Sequence, residues 1–209
     1  LTAEEKEIIR AQGVTVRNLT FQYPETPEPV LKNISFQIKP GQVIGILGKI
    51  GSGKSTLSDC LNRYLPVGPG QIFLGDKDLH AMTFTDLRNS VRTVTQEPFL
   101  FSDTIQANVL FGEKEGLLSP SDLKTIFYEA ALECEIERFP QREKTLVGEK
   151  GIMLSGGQKQ RISLARSMSS HCELLVLDNV LSAVDYETER LLLEQIYARK
   201  HASSVLIIS

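Results

Sequence analysis

Two short stretches carry the residues with the most chemistry. Residues 48–55 read GKIGSGKS, the pattern G-x-x-x-x-G-K-[ST]. Gly48, Gly51 and Gly53 can take backbone angles closed to other residues, so successive N–H groups can turn inward as an anion nest. Lys54 adds a full positive charge toward the β and γ phosphates of a polyphosphate, and the Ser55 hydroxyl suits Mg2+. The second stretch is LLVLD, four apolar residues ending in Asp178. A carboxylate at the C-terminal end of a buried strand stands where open α/β sheets gather their ligands, and it can hold the hard Mg2+ ion directly or through its water. The loop and the carboxylate together point to a metal-assisted triphosphate site.

Such a site needs a strand before the loop and a helix after it. VIGILG, before the loop, reads as a short buried strand, and TLSDCLNRYL, after it, has helical spacing. Upstream, LTAEEKEIIR is a polar helical lead-in or linker. VTVRNLTFQY and VLKNISFQI alternate as half-buried strands around the proline loop PETPEP. GPGQIFLGDKDL reads as turn, strand, turn. From about Asp103 to Cys134 the text is mostly helical, with DTIQANVLF and SDLKTIFYEAALEC. KQRISLARSMSS is a further helix, LLVLD a strand, YETERLLLEQIYAR a helix and VLIIS a last strand. Alternating strands and helices predict a parallel α/β core, and the strand-poor middle predicts an inserted helical lobe.

The chain has 209 residues and a formal net charge of −3, with Lys and Arg scattered, so nucleic-acid binding is not expected. Its three cysteines, Cys60, Cys134 and Cys172, match no metal spacing and fit buried free thiols in a reducing compartment. No apolar run approaches the ~20 residues of a membrane helix. The chain opens at Leu1 and stops at Ser209 after an apolar strand, and we expect both ends to be cut.

LSGGQ, residues 154–158, is a second glycine-rich break before a helix, with Ser155 as its N-cap and no lysine. The helix start favours negative charge. LSGGQ followed by KQRISLARS, with the glycine loop upstream and LLVLD downstream, resembles the ATP-binding cassette family from about Val14 to Ser209. The resemblance implies an α/β P-loop NTPase (RecA-like) core, about 13–95 and 158–209, with an antiparallel β subdomain and an α-helical subdomain of about 96–157. Residues 1–12 would be a linker from a missing membrane domain. It also implies ATP and Mg2+ as ligands, and head-to-tail pairing in which Leu154, Ser155, Gly156, Gly157 and Gln158 of one copy close over the ATP of the other. ATP would be held by Tyr23, stacked on adenine, and by Gly48, Lys49, Ile50, Gly51, Ser52, Gly53, Lys54, Ser55 and Thr56. Mg2+ would be held by Ser55, Asp178 and Gln96. Ser182 and Asp185, in SAVD, would lie on a loop at the dimer seam. TLVGEKG, residues 145–151, and PFLFSDTIQANVLFG resemble exporter segments that touch the membrane domain. The resemblance thus implies a motor on the cytoplasmic face of a membrane, partnered by a second nucleotide-binding domain and a transmembrane domain.

One position departs from the pattern. The family has a glutamate after the strand-ending aspartate to polarise the attacking water, and here that residue is Asn179. A carboxamide can hydrogen-bond a water but cannot take its proton. General-base assistance contributes about 10²–10⁴-fold, so slow turnover at this site is expected. Asn179 is native to a degenerate half of a heterodimer, or engineered, or compensated by a neighbouring group; the sequence leaves all three open. The family's γ-phosphate histidine has no match in His80, His171 or His201. A soluble ATPase of the same fold and a non-catalytic ATP-gated clamp are the alternative readings.

Overall fold

A computed structural model of the chain describes residues 2–113, 118–148, 152–199 and 203–209. The chain divides into two compact units: Leu1–Thr93, His171–Asp178 and Arg199–Ser209 form one, and Val94–Ser170 with Asn179–Ala198 the other.

The first unit holds two sheets. Helix α1 (Ala3–Gln12) leads into β1 (Val14–Phe21), which pairs antiparallel with both β2 (Leu31–Ile38) and β4 (Ile72–Leu74); β5 (Lys77–Asp78) completes the order β2-β1-β4-β5. The register of β1 on β2 shifts near Asn18, whose φ of 47° marks a bulge. The second sheet, β3-β8-β7-β6, is built from β3 (Val43–Ile46), β8 (Ser204–Ile208), β7 (Leu174–Asp178) and β6 (Val91–Val94). β8 runs parallel to both β3 and β7, as a buried α/β sheet requires. Helix α2 (Lys54–Leu61) presents Leu57, Cys60 and Leu61 to a core shared with Val176, Leu206 and residues of both sheets.

Several features of this unit go beyond the sequence reading. VIGI is not buried, because β3 is an edge strand with half-exposed residues. The polar lead-in forms the helix α1, and it packs on the unit where described. Ile9 of α1 is buried, Glu5 pairs with Lys77, and a Cβ at Gly75 would fall 2.8 Å from the Ile9 Cα. The α3 helix (Phe84–Ser90), capped by Thr83, and strand β6 were not anticipated.

The second unit is helical: α4 (Ile105–Val109), α5 (Pro120–Glu129), α6 (Glu133–Arg138), α7 (Gly156–Met168) and α8 (Tyr186–Ala198). α7 packs on α4 and α5, and α5 on α8. The expected 96–157 lobe lies within this unit, which also takes in α7 and α8 because their packing partners are here. Arg166 of α7 stitches it together, donating to Asn108 O at 2.7 Å, Asn108 Oδ1 at 2.9 Å and Phe99 O at 3.0 Å.

SDLKTIFYEAALEC reads as one helix but folds as two. After α5 the Leu132 N–H donates to Phe127 O at 2.8 Å and the Ala131 N–H to Tyr128 O at 3.0 Å. That is a Schellman stop, with Ala131 at φ 53° where glycine usually stands. No sequence signal marks it, since alanine is the best helix former; burial of Leu132 favours the turn. Ala131→Gly should therefore raise stability by about 1 kcal/mol, read as a higher urea midpoint at unchanged m-value.

Candidate functional site

The glycine loop lies between β3 and α2 in the first unit. Gly51 has φ 80° and Gly53 φ 89°, the left-handed region that favours glycine. A Cβ at Gly53 would also meet Val30 Cγ1 at 2.9 Å, whereas around Gly51 there is open space. Gly53 begins α2 with no side chain accepting from the first-turn amides. Those N–H groups and the helix dipole are thus free to face an anion. Gly48, Lys49, Ile50, Gly51, Ser52 and Ser55 are exposed, and Thr56 is buried. The Lys54 Nζ arches back over the loop, donating to Gly48 O at 2.6 Å and Lys49 O at 2.9 Å. The Gly48 N–H reaches Ser209 O at 3.4 Å, which ties the loop to the end of β8.

Tyr23 follows β1 and is half-buried. Its hydroxyl shares a 3.2 Å hydrogen bond with Thr56 Oγ1, and its ring meets Phe21 edge to face at 5.0 Å. Asp178 ends β7, 7% exposed, on the strand against which α2 packs. A second carboxylate, missed in the sequence, joins it: Asp59 is raised above the usual aspartate range, first by burial and then by the Asp178 charge. Its spacing of four from Ser55 places both on one face of α2, a signal the sequence did contain. Burial, and then Asp59, push the Cys60 thiol up to about 12, so it is no nucleophile at neutral pH.

Hydroxyl and carboxylate oxygens are what Mg2+ prefers, and it keeps much of its shell as water and phosphate. Among the described residues no three His, Cys, Asp or Glu side chains cluster as a transition-metal cage would need. The donor set of Ser55 and Asp178 beside the loop fits Mg2+ carried in with a polyphosphate.

The other motif residues lie in the second unit. Gln96 is exposed in the loop after β6. Ser155 caps α7 in a reciprocal box with Gln158: the Gln158 N–H donates to Ser155 Oγ at 3.2 Å, and the Ser155 N–H to Gln158 Oε1 at 2.9 Å. Nothing would meet a Cβ at Gly156, and Leu154 is half-buried while Gly157 is buried. Asn179 sits at φ 55°, and its carbonyl accepts from the Ser182 hydroxyl at 2.8 Å. Asp185 caps α8 through the Thr188 N–H at 3.0 Å and the Thr188 hydroxyl at 2.8 Å, which hold its carboxyl below the usual range. Of the 145–151 stretch, residues 149–151 lie outside the described residues, as does His201. The described part is bound to residues 103–105: the Ile105 N–H donates to Thr145 O at 3.0 Å and the Val147 N–H to Asp103 O at 3.0 Å. Nearby on this unit Phe99, Phe111 and Met153 are exposed, with Phe101 stacked 4.3 Å from Phe111.

A parallel α/β sheet with this loop, this helix start and this strand-ending aspartate defines a P-loop NTPase domain. Comparisons narrow the class. The family model for ABC transporters matches residues 31–182, and the chain belongs to that family. It is 41% identical over 187 residues to the multidrug resistance-like ATP-binding protein MdlA of Escherichia coli, covering 90% of this chain and 31% of that protein. It is 39% identical over 196 residues to an ATP-dependent lipid A-core flippase of Pseudoalteromonas translucida, covering 93% of this chain and 34% of that protein. Its backbone matches a bacterial Atm1-family ABC exporter solved with ATP bound at a TM-score of 0.87 and 32% identity, over 96% of this chain and 35% of that one. The chain spans about a third of the length of these relatives.

Asp59 makes the carboxylate pair testable. Its folded-state pKa is raised, so ionising it opposes folding. The penalty is absent below the ordinary aspartate pKa of about 3.9 and develops as pH rises through the folded value. Asp59→Asn should therefore be more stable than the parent at pH 7, with the gain vanishing near pH 3.5 or below; urea unfolding across pH checks it.

Proposed function

We propose that this chain is the ATP-binding motor of an ABC exporter on the cytoplasmic face of a membrane. One observation carries the reading: the uncapped start of α2, the Lys54 ammonium and the buried Asp178 belong to one compact unit. The likeness to an exporter solved with ATP bound supports it.

In this reading the amides of the 48–55 loop and Lys54 hold the β and γ phosphates, and Tyr23 supports adenine. Ser55, Asp178 and Gln96 hold Mg2+, which when bound neutralises charge developing on the phosphates. Ser155 to Gln158 at the start of α7 serve the nucleotide of a second nucleotide-binding domain paired head to tail, with Ser182 and Asp185 on a loop at the seam. ATP favours the closed pair and so shifts the population toward it. The exposed Phe99, Phe111 and Met153, beside the stretch that begins at Thr145, form the surface for the transmembrane partner.

Asn179 makes the chain's own site slow. It can orient a water but not deprotonate it, while its capped α7 start leaves it able to complete a competent site on a different partner. The chain is then the degenerate half of a heterodimer.

Calorimetry with MgATP should show binding that Lys54→Ala weakens at least about tenfold, the scale of losing one charge-assisted contact of ~1.5–3 kcal/mol. No adenine-nucleotide uptake by folded protein overturns the reading. With the partner present, Asn179→Glu should raise single-turnover hydrolysis by about 10²-fold or more. An unchanged rate removes the degenerate-site part and leaves either a site compensated by a neighbouring group or an ATP-gated clamp, which ATP hydrolysis by the isolated pair separates.

A further inference from the structure

Gln160 lies on α7, four residues beyond Gly156, so one helix carries the 154–158 motif at its start and Gln160 on its inner side. The side chain is only 4% exposed. Its Nε2 donates to the backbone carbonyl of Gln96 at 3.0 Å, across 64 residues of chain. Its Oε1 is buried and finds no partner among the described residues. An unpaired buried acceptor costs more than one neutral hydrogen bond returns, and a methionine or leucine would fill this space without that cost. Stability alone therefore does not explain an amide here. What the amide supplies is a fixed point for the backbone of a loop whose side chains are exposed at Thr95, Gln96 and Glu97.

We propose that Gln160 is a positioning residue: it clamps the Gln96 loop to the helix that presents the 154–158 motif, and so sets where the Gln96 side chain reaches for the metal. The clamp makes two motifs, each serving a different nucleotide, move as one body. This rests on the metal role assigned to Gln96 above.

The test uses the full-length protein with Gln160→Met and Gln160→Leu, whose melting curves should match the parent or lie above it. Amide exchange at Gln96 and Glu97 should quicken in both variants, while exchange in the middle of α7 stays the same. With ATP bound and Mn2+ standing in for Mg2+, the half-saturating Mn2+ concentration read by electron paramagnetic resonance should rise about tenfold, an estimate set by one lost contact of ~1.4 kcal/mol. ATP affinity at saturating Mn2+ should stay within about twofold of the parent, since the variants leave the 48–55 loop intact. Gln96→Ala should give the same Mn2+ shift, and adding Gln160→Met to it should change nothing further. Unchanged exchange, or faster exchange with no Mn2+ shift while Gln96→Ala does shift, overturns the proposal. No shift from Gln96→Ala overturns the metal role of Gln96 instead.

Discussion

Backbone amides can serve an anion only if nothing else in the protein satisfies them. That constraint organises the first unit. The start of α2 needs amides without a side-chain cap, a chain that reverses through left-handed angles, and a strand that delivers it to the right end of the sheet. Gly51 and Gly53 meet the second need, and at Gly53 the proximity of Val30 rules out a side chain on steric grounds as well. Six other helices close their first turn differently: Thr2, Thr83, Thr104, Ser119, Ser155 and Asp185 each accept from their own helix, while α6, like α2, begins without a side-chain cap. The contrast between α2 and α7 is instructive. α7 is capped by Ser155, which takes up the Gln158 N–H, so one of its first-turn amides is already engaged, whereas α2 has no such side-chain cap.

Much of this was legible because it depends on local chemistry. Glycines at fixed spacing, a run of four apolar residues before Asp178, and Ser155 three residues ahead of Gln158 each imply their own geometry. What escaped depends on contacts made across the sequence. VIGI reads as buried because its residues are apolar, yet an edge strand has a neighbour on one side only. The break at Ala131 has no glycine to announce it and follows from the burial of Leu132. Asp59 could have been found by counting four from Ser55, but its perturbation comes from Asp178, which is remote in sequence and adjacent in the fold. Gln160 gave no signal at all, since its partner is a backbone carbonyl 64 residues away.

The second unit owes its cohesion to buried polar contacts as much as to apolar packing. Arg166 spans α7 to Asn108 and Phe99, and Arg161 pairs with Glu135 while both keep one buried atom without a partner among the described residues. Such arrangements are costly to break and confer little net stability, so they favour one packing over alternatives rather than a tighter one.

The left-handed backbone at Asn179 has a consequence for which side chains can occupy the position after Asp178. Asparagine and aspartate tolerate that conformation because their short polar groups bond locally, and longer side chains gain no such relief. The junction therefore filters residues by conformation before chemistry is consulted. A carboxylate arriving as aspartate would fit the chain most comfortably yet fall one methylene short of a glutamate, so ease of folding and side-chain reach pull in opposite directions at a single residue.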